Sequence, residues 1–374
     1  MKILIGDILQ SKAQTLINTV NCVGVMGKGI ALEFKERFPE MYEDYLLRCK
    51  RGEVKPGLPY LYRALLPPQI INFPTKDHWK SVSKLSDIEH GLEYLLAHYK
   101  EWDVQSLAIP PLGCGNGQLE WRAVGPVIYR LAKQMDIPVE MYAPYGTTPK
   151  ELTREFLEKG GQALDGRSAG NGQSALDASW VALVEIISRI EQQPYHWPIG
   201  RTIFQKIAYV ATNEGLPTRL NYRRGSFGPF SQELKSVEAK LINSGLLQEE
   251  RQGRMFMVKV GPNFSRIRQK YIPAFERWGE VLDKTADLFM RVNTDQAEVI
   301  ATLLFAVHEL VQNREGRPTE NDVLQAVMQW KQKRRPPLDA KTVASAIRNL
   351  GMLRWLNLEP SPDLPVPEEE ALAA

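Results

Sequence analysis

Cysteine is scarce in this 374-residue chain: Cys22, Cys49 and Cys114 are all it has, and no two form a CxxC pair. A disulfide framework is thereby excluded, which fits a reducing cytoplasm. The five histidines are scattered without ligand spacing, so neither a metal nor a cofactor is expected. No apolar run approaches bilayer length. The opening MKILIGDILQ lacks the apolar core and small-residue cleavage site of a signal peptide. A cytoplasmic location and no membrane partner are therefore expected. With a formal net charge of only +3 there is no basic coat, so any nucleic-acid contact must be local.

What is present is the composition of an ordinary globular protein, long enough for two domains. Over residues 1–150 strand-like and helix-like patterns alternate. KILIGDI, TLINTVN, LPYLYR, QIINFPT, QSLAIPPLG and VEMYAPY read as strands. IALEFKERFPEMYEDYLLRCKRG, LSDIEHGLEYLLAHYKEW and EWRAVGPVIYRLAKQM read as amphipathic helices. This predicts an α/β domain, a mixed β-sheet sandwiched by helices, with ligands held in loops beyond the strand ends. After a further helix, TPKELTREFLEKG, residues 160–178 are rich in Gly, Ser and Ala and read as a flexible linker. Residues 179–358 read as a mainly α-helical domain with one β-hairpin, LLQEERQGRMFMVKV, turning at Gln252-Gly253 like the wing of a winged helix. The acidic, proline-rich residues 359–374 read as a disordered tail.

Two strand-to-helix loops, VGVMGKG and PPLGCGNGQL, are rich in glycine, and a third, FPTKDHWKSVSK, is polar. Glycine-rich turns of this kind hold phosphate, because bare backbone amides and a helix N-terminus face the anion. GVMGKGIA lacks both the GxxxxGK[ST] spacing of a P-loop and a Ser or Thr after its lysine. Gly24, Gly27 and Gly29 do not fit the dinucleotide fingerprint GxGxxG either. Cys22 and Cys114 lie in these loops with no evident base beside them, so a thiol nucleophile is not expected.

GDI in the first strand, NTVN leading into GVMGKGIA, and PPLGCGNGQLEW jointly resemble the macrodomain, a module that binds ADP-ribose. The likeness covers residues 1–146. Within the superfamily, INFPTK resembles the branch that removes ADP-ribose with a lysine, and there the DarG-type antitoxins, whose DarT partners ADP-ribosylate thymidine in DNA. The resemblance implies ADP-ribose as ligand. Its diphosphate would lie between Gly24, Val25, Met26, Gly27, Lys28, Gly29 and Ile30 on one side and Gly113, Cys114, Gly115, Asn116, Gly117, Gln118 and Leu119 on the other. Asp7, followed by Ile8, would accept from the adenine amino group. Tyr142 either lines the adenine pocket or is a plain sheet tyrosine. An amide can bind ribose hydroxyls as donor and acceptor at once. Asn21 is assigned to that role and Asn18 to fixing the loop backbone.

The bond to be cleaved would join the ribose anomeric carbon to a thymine ring nitrogen. A departing thymine spreads negative charge over two carbonyls, so a strong general acid is not essential. A cation near the ring, or an amine that attacks the anomeric carbon, would help. Lys76 matches the lysine of the related hydrolases, with Lys80 as runner-up and Asn21 also counted as catalytic; Thr75 is counted with the ADP-ribose-binding residues, and Lys84 reads as the start of a solvated helix. Relatives acting on protein carboxylates carry an aspartate in the second glycine-rich loop, where this chain has Gly117. A lysine adduct resolved by that carboxylate is thereby in doubt, and water is the expected nucleophile. Trp79 either stacks on the thymine or a flanking base, or belongs to the core.

In the second domain NYRRGSFGPFSQEL, after FQKIAYVA, resembles a domain of several antitoxins related to SocA. Either it binds the DarT-like toxin, or the wing, Arg219, Arg223, Arg224 and KQKRR (residues 331–335) bind operator DNA. The near balance of acidic and basic residues favours the toxin, and KQKRR reads as a solvated helix end. The expected protein is an antitoxin and DNA ADP-ribosyl glycohydrolase, with ADP-ribose, ADP-ribosylated single-stranded DNA and a DarT-like ADP-ribosyltransferase as partners. The alternative is a non-catalytic ADP-ribose-binding module with an operator-binding second domain.

Overall fold

In TLINTVN and QIINFPTK neighbouring apolar residues face opposite ways. Leu16 and Ile70 enter one buried cluster, Ile17 and Ile71 another. That is the two-residue period of strands covered on both faces. The computed structural model describes residues 1–164, 176–253, 255–313 and 316–365. It forms two units, Met1–Ala175 and Leu176–Ala374.

The first unit runs β1 (Lys2–Ile5), β2 (Thr15–Asn21), α1 (Gly29–Arg37), α2 (Pro39–Lys50), β3 (Tyr60–Tyr62), β4 (Gln69–Lys76), α3 (Leu85–His98), β5 (Leu107–Ile109), α4 (Trp121–Ala132), β6 (Val139–Ala143) and α5 (Arg154–Leu164). The sheet order is β1-β6-β5-β2-β4-β3, with β3 antiparallel to β4 and every other pair parallel. Phe34 of α1 and Met41 and Tyr45 of α2 cover one face. Ile88, Leu92 and Leu95 of α3 and Val124, Val127 and Ile128 of α4 cover the other. This is the expected mixed sheet between helices.

Three expectations need correction here. IALEFKERFPEMYEDYLLRCK is two helices, because Phe38 precedes Pro39 and is held out of the helical region at φ −132° and ψ 69°. The boundary at 150 is too early. α5 packs on α4 through fully buried Leu157, and Tyr129 Oη donates to Glu158 Oε1 at 3.3 Å. α5 also runs to Leu164, inside the stretch read as linker. The remainder of that stretch up to residue 175 lies outside the described residues.

The second unit comprises α6 (Ala178–Glu191), α7 (Arg201–Asn213), β7 (Arg223–Gly225), β8 (Gly228–Phe230), α8 (Glu233–Asn243), β9 (Leu247–Gln252), β10 (Met255–Val260), α9 (Phe264–Arg268), α10 (Ile272–Arg277), α11 (Gly279–Arg291), α12 (Thr294–Asn313), α13 (Glu320–Trp330) and α14 (Ala340–Met352). The hairpin β9–β10 lies where the sequence indicates. A second hairpin, β7–β8, was not anticipated; Gly225 and Gly228 pair across a two-residue turn. The tail also begins later than residue 359. The Ser361 amide donates to Glu320 Oε2 at 2.9 Å and Leu364 is buried, so packing continues to that point. Residues 366–374 lie outside the described residues.

Candidate active site

The parallel strands β1, β2, β4, β5 and β6 end on one edge of the sheet, and the loops rich in glycine leave from that edge. Such an edge is where ligands of α/β sheets bind. A Cβ built on Gly29 in the first loop would lie 3.5 Å from Asn116 Nδ2 in the second, so the two loops face each other. Lys28, the N-cap of α1, makes no side-chain capping bond. The first amides of that helix therefore keep their donors for an anion.

The second loop has little room for side chains. Gly113 has φ +74°, and a Cβ there would lie 2.8 Å from Leu119 Cδ1. At Gly117 a Cβ would meet Ser83 Oγ at 2.2 Å and the Gly113 carbonyl oxygen at 2.5 Å. Ser83 is fully buried and its amide donates to the Gly117 carbonyl at 2.9 Å. Sequence reasoning missed Ser83, which leaves no room for a side chain at Gly117. Its only local signal is a small residue near the end of the third loop. Gly115 and Asn116 are exposed, Cys114 and Gln118 half-buried, and Leu119 buried.

In the first loop the backbone-fixing role expected of Asn18 falls to Asn21. Asn18 is fully buried and donates to Asn72 Oδ1 at 2.9 Å, away from the loop backbone. Asn21 holds that backbone instead. Its Oδ1 accepts from the Val23 amide at 3.0 Å and the Val25 amide at 3.4 Å, and its Nδ2 donates to the Val25 carbonyl at 2.5 Å. Tyr45 Oη, donating to Asn21 Oδ1 at 3.1 Å, sets this orientation from α2. The loop so held carries Val25, Gly27, Lys28 and Gly29 exposed, Gly24 and Ile30 half-buried, and Met26 buried as its anchor.

Lys76 stands at the end of β4. Val20 pairs with Pro74 but Asn21 with Lys76, so Thr75 is an extra residue and the bulge brings Lys76 level with Asn21. Thr75 is buried and its hydroxyl donates to the Val20 carbonyl at 3.4 Å. The Lys76 side chain is only 9% exposed, and its Nζ donates to the Asn116 carbonyl at 2.9 Å. A buried cation thus lies between the third loop and the second glycine-rich loop. Lys80 and Lys84 are exposed, and Lys80 Nζ sits 4.9 Å from the Trp79 ring centroid. Trp79 is 47% exposed, which removes the core reading of it.

At the other end of the edge, Asp7 is exposed beyond β1 and caps the turn Ile8–Gln10, accepting from the Leu9 amide at 2.9 Å. Ile8 is buried. Gly6 brings the backbone before Asp7 within 4.0 Å of Tyr142 Cε1, counted from a built Cβ. Tyr142 is 7% exposed and donates to Glu140 Oε2 at 3.3 Å; burial, then Glu140 and Asp7, raise its pKa. Asp7 and Tyr142 are therefore brought together. The thiols are not activated: burial pushes both Cys22 and Cys114 up to about 12.

In the second unit several of the basic residues are committed internally. Lys331 is 5% exposed and ion-paired with buried Glu298 at 2.7 Å, and Arg334 reaches Asp295 at 2.9 Å. The KQKRR run is thus part of the packing at Lys331, not a wholly solvated helix end. Arg224 pairs with Glu309 at 2.7 Å, while Arg219 and Arg223 are exposed. Among the described residues no group of His, Cys, Asp and Glu is arranged to hold a metal, and no helix is long and apolar enough to cross a membrane.

The Macro domain family model matches residues 17–128. A DNA ADP-ribosyl glycohydrolase of Mycobacterium tuberculosis is 37% identical over 245 residues, covering 62% of this chain and 64% of that protein. This match thus spans less than two thirds of the relative's length. A DNA ADP-ribosyl transferase-DNA ADP-ribosyl glycohydrolase fusion protein of Thermosipho africanus is 41% identical over 157 residues, 37% of this chain and 40% of the fusion. A DNA ADP-ribosyl glycohydrolase of Thermus aquaticus is 32% identical over 310 residues, 81% of this chain and 82% of its own. By that near-full-length likeness, around a macrodomain built at one sheet edge, the chain belongs to the family of the DNA ADP-ribosyl glycohydrolases.

Proposed function

We propose that the first unit binds ADP-ribose along the sheet edge and hydrolyses the bond joining it to thymidine in single-stranded DNA. The observation that carries this reading is Lys76: a lysine 9% exposed, its ammonium on the Asn116 carbonyl, between the loops that would hold the diphosphate. A pure reader of ADP-ribose needs no amine at that point.

The backbone amides of residues 24–30 and 113–119 and the N-terminus of α1 hold the diphosphate. Asp7 accepts from the adenine amino group and Tyr142 walls the adenine. The anomeric carbon then lies toward Lys76. Its bond to the thymine nitrogen breaks with the electron pair leaving on the base, and the ammonium stabilises that charge. A water oxygen bonds to the anomeric carbon and its proton ends on the thymine. Ser83 closes the Gly117 position to a carboxylate, which favours water over a lysine adduct resolved by a side chain.

The second unit, on this reading, binds a DarT-like toxin. The Thermosipho fusion, by its name, joins a DNA ADP-ribosyl transferase to a glycohydrolase in one chain. Ion pairs engage Lys331, Arg334 and Arg224, which weakens the case for operator DNA. The protein would work in the cytoplasm, erasing the mark with one unit and occupying its writer with the other.

Full-length protein mixed with single-stranded DNA ADP-ribosylated on thymidine should release ADP-ribose. Tight binding of ADP-ribose in calorimetry without any release would leave the non-catalytic reader. Full-length protein should also co-purify with a DarT-like partner. If it neither co-purifies nor slows DNA ADP-ribosylation when Lys76 is replaced by alanine, toxin binding is wrong and operator DNA takes its place.

A further inference from the structure

Trp79 lies in a segment whose backbone is held at several points. The Cys22 amide donates to the Asp77 carbonyl at 3.1 Å, tying the loop to the first glycine-rich loop. The His78 amide donates to Asp77 Oδ1 at 2.7 Å, the Lys80 amide to His78 Nδ1 at 3.1 Å, and the Ser81 amide to the His78 carbonyl at 3.0 Å. On this turn the Trp79 ring stacks on His78, with centroids 5.6 Å apart and planes at 27°, and the Lys80 ammonium lies 4.9 Å from its centroid. Yet the residue remains 47% exposed. A large aromatic surface left in water costs free energy in proportion to its area. Here it is oriented, beside cations, and three residues from Lys76.

Three residues span at most about 11 Å of chain, while successive nucleotides of a stacked strand are separated by about 3.4 Å. The ring is therefore within reach of a base next to one held at Lys76. The Lys76 ammonium is buried against Asn116, whereas the Trp79 ring opens to solvent. That difference separates the reacting thymine from what the ring covers.

We propose that Trp79, held by His78 and Lys80, is the stacking platform for the nucleotide adjacent to the ADP-ribosylated thymidine, making it a substrate-positioning residue selective for nucleic acid strands over isolated nucleosides. This rests on the function proposed above. Stacking on an aromatic ring accepts any base, so the platform grips the strand without reading its sequence. The exposed Lys80 and Lys84 stand where the phosphates of that strand would pass.

The test compares two substrates in the full-length protein: ADP-ribosyl thymidine, and a short single-stranded oligonucleotide carrying the same group on an internal thymidine. Trp79→Ala should lower the oligonucleotide-to-nucleoside ratio of kcat/KM on the order of ten- to a hundredfold, mainly through a higher oligonucleotide KM. Trp79→Phe, which keeps a ring, should retain most of the ratio. A structural role alone would slow both substrates and leave the ratio where it was. An unchanged ratio in Trp79→Ala, with the wild type active on both substrates, overturns this inference alone. A wild type that hydrolyses neither substrate overturns it together with the proposed function.

Discussion

Lys76 Nζ and the carbonyl oxygen of Asn116, forty residues apart in sequence, meet at 2.9 Å. Through this contact the end of β4 is joined to the second glycine-rich loop, and the ammonium is held at the end of the sheet. A ligand lying between the loops would therefore find a charge already oriented, which is the condition under which electrostatic stabilisation is strong.

Replacing Lys76 by alanine should lower kcat for release of ADP-ribose from DNA by on the order of a hundredfold or more, while calorimetry still finds ADP-ribose bound. Lys80→Ala should cost far less in kcat, since its ammonium lies over Trp79 at the surface. The reverse ranking in single-turnover rates would move the reacting cation from the strand end to the turn after it.

Gly117→Ala should weaken ADP-ribose binding and destabilise the first unit by about 1–3 kcal/mol in thermal unfolding. The added methyl meets both Ser83 Oγ at 2.2 Å and the Gly113 carbonyl at 2.5 Å. Ser83→Gly in the same chain should recover only part of the loss, because the backbone carbonyl cannot be removed. Full recovery, or no loss in the single variant, would contradict this account of the loop.

Alkylating reagents should leave hydrolysis unaffected at pH 8. Burial pushes the Cys22 and Cys114 thiols up to about 12, so on the order of one thiol in ten thousand is ionised at that pH. Cys114→Ser should keep wild-type activity, and labelling of the native protein followed by mass spectrometry should show no rise at either cysteine below about pH 10. Rapid labelling at neutral pH with loss of activity would point to an activated thiol.

Glu238 predicts a pH dependence in the second unit. Burial first, and Glu249 second, raise its carboxyl from 4.5 to about 7. Between these values the folded chain holds the proton that the unfolded chain releases, so stability is lost as pH rises through this window. The loss amounts to ~3 kcal/mol once pH exceeds the folded pKa. Glu238→Gln should accordingly stabilise the second unit at pH 8 and change little at pH 4, as followed by chemical denaturation. Equal effects at both pH values would show that the carboxyl does not titrate differently on folding.

Much of the first unit can be read along the chain, because its signals are local. The alternation of apolar residues in TLINTVN and QIINFPTK specifies strands buried on both faces, and the glycines of VGVMGKG and PPLGCGNGQL mark where backbone must come close to a ligand. The break at Pro39 was equally local, since a residue before proline leaves the helical region, but the apolar spacing ran across it unbroken. The helices α9 and α10, of five and six residues, are too short to show a helical period, and Pro273 stands in the first turn of α10.

By itself the sequence determined the alternating fold, the three loops and the lysine at the end of QIINFPTK. Tertiary structure alone decided which asparagine holds the first loop, that Trp79 stays in water, that Gly117 has no room for a side chain, and that Lys331 is buried in an ion pair. Three of those outcomes depend on a partner far away in the chain: Tyr45 for Asn21, Ser83 for Gly117, Glu298 for Lys331. Periodicity and turn chemistry act between neighbours in sequence, whereas the burial and pairing of a polar group depend on whatever the fold brings against it.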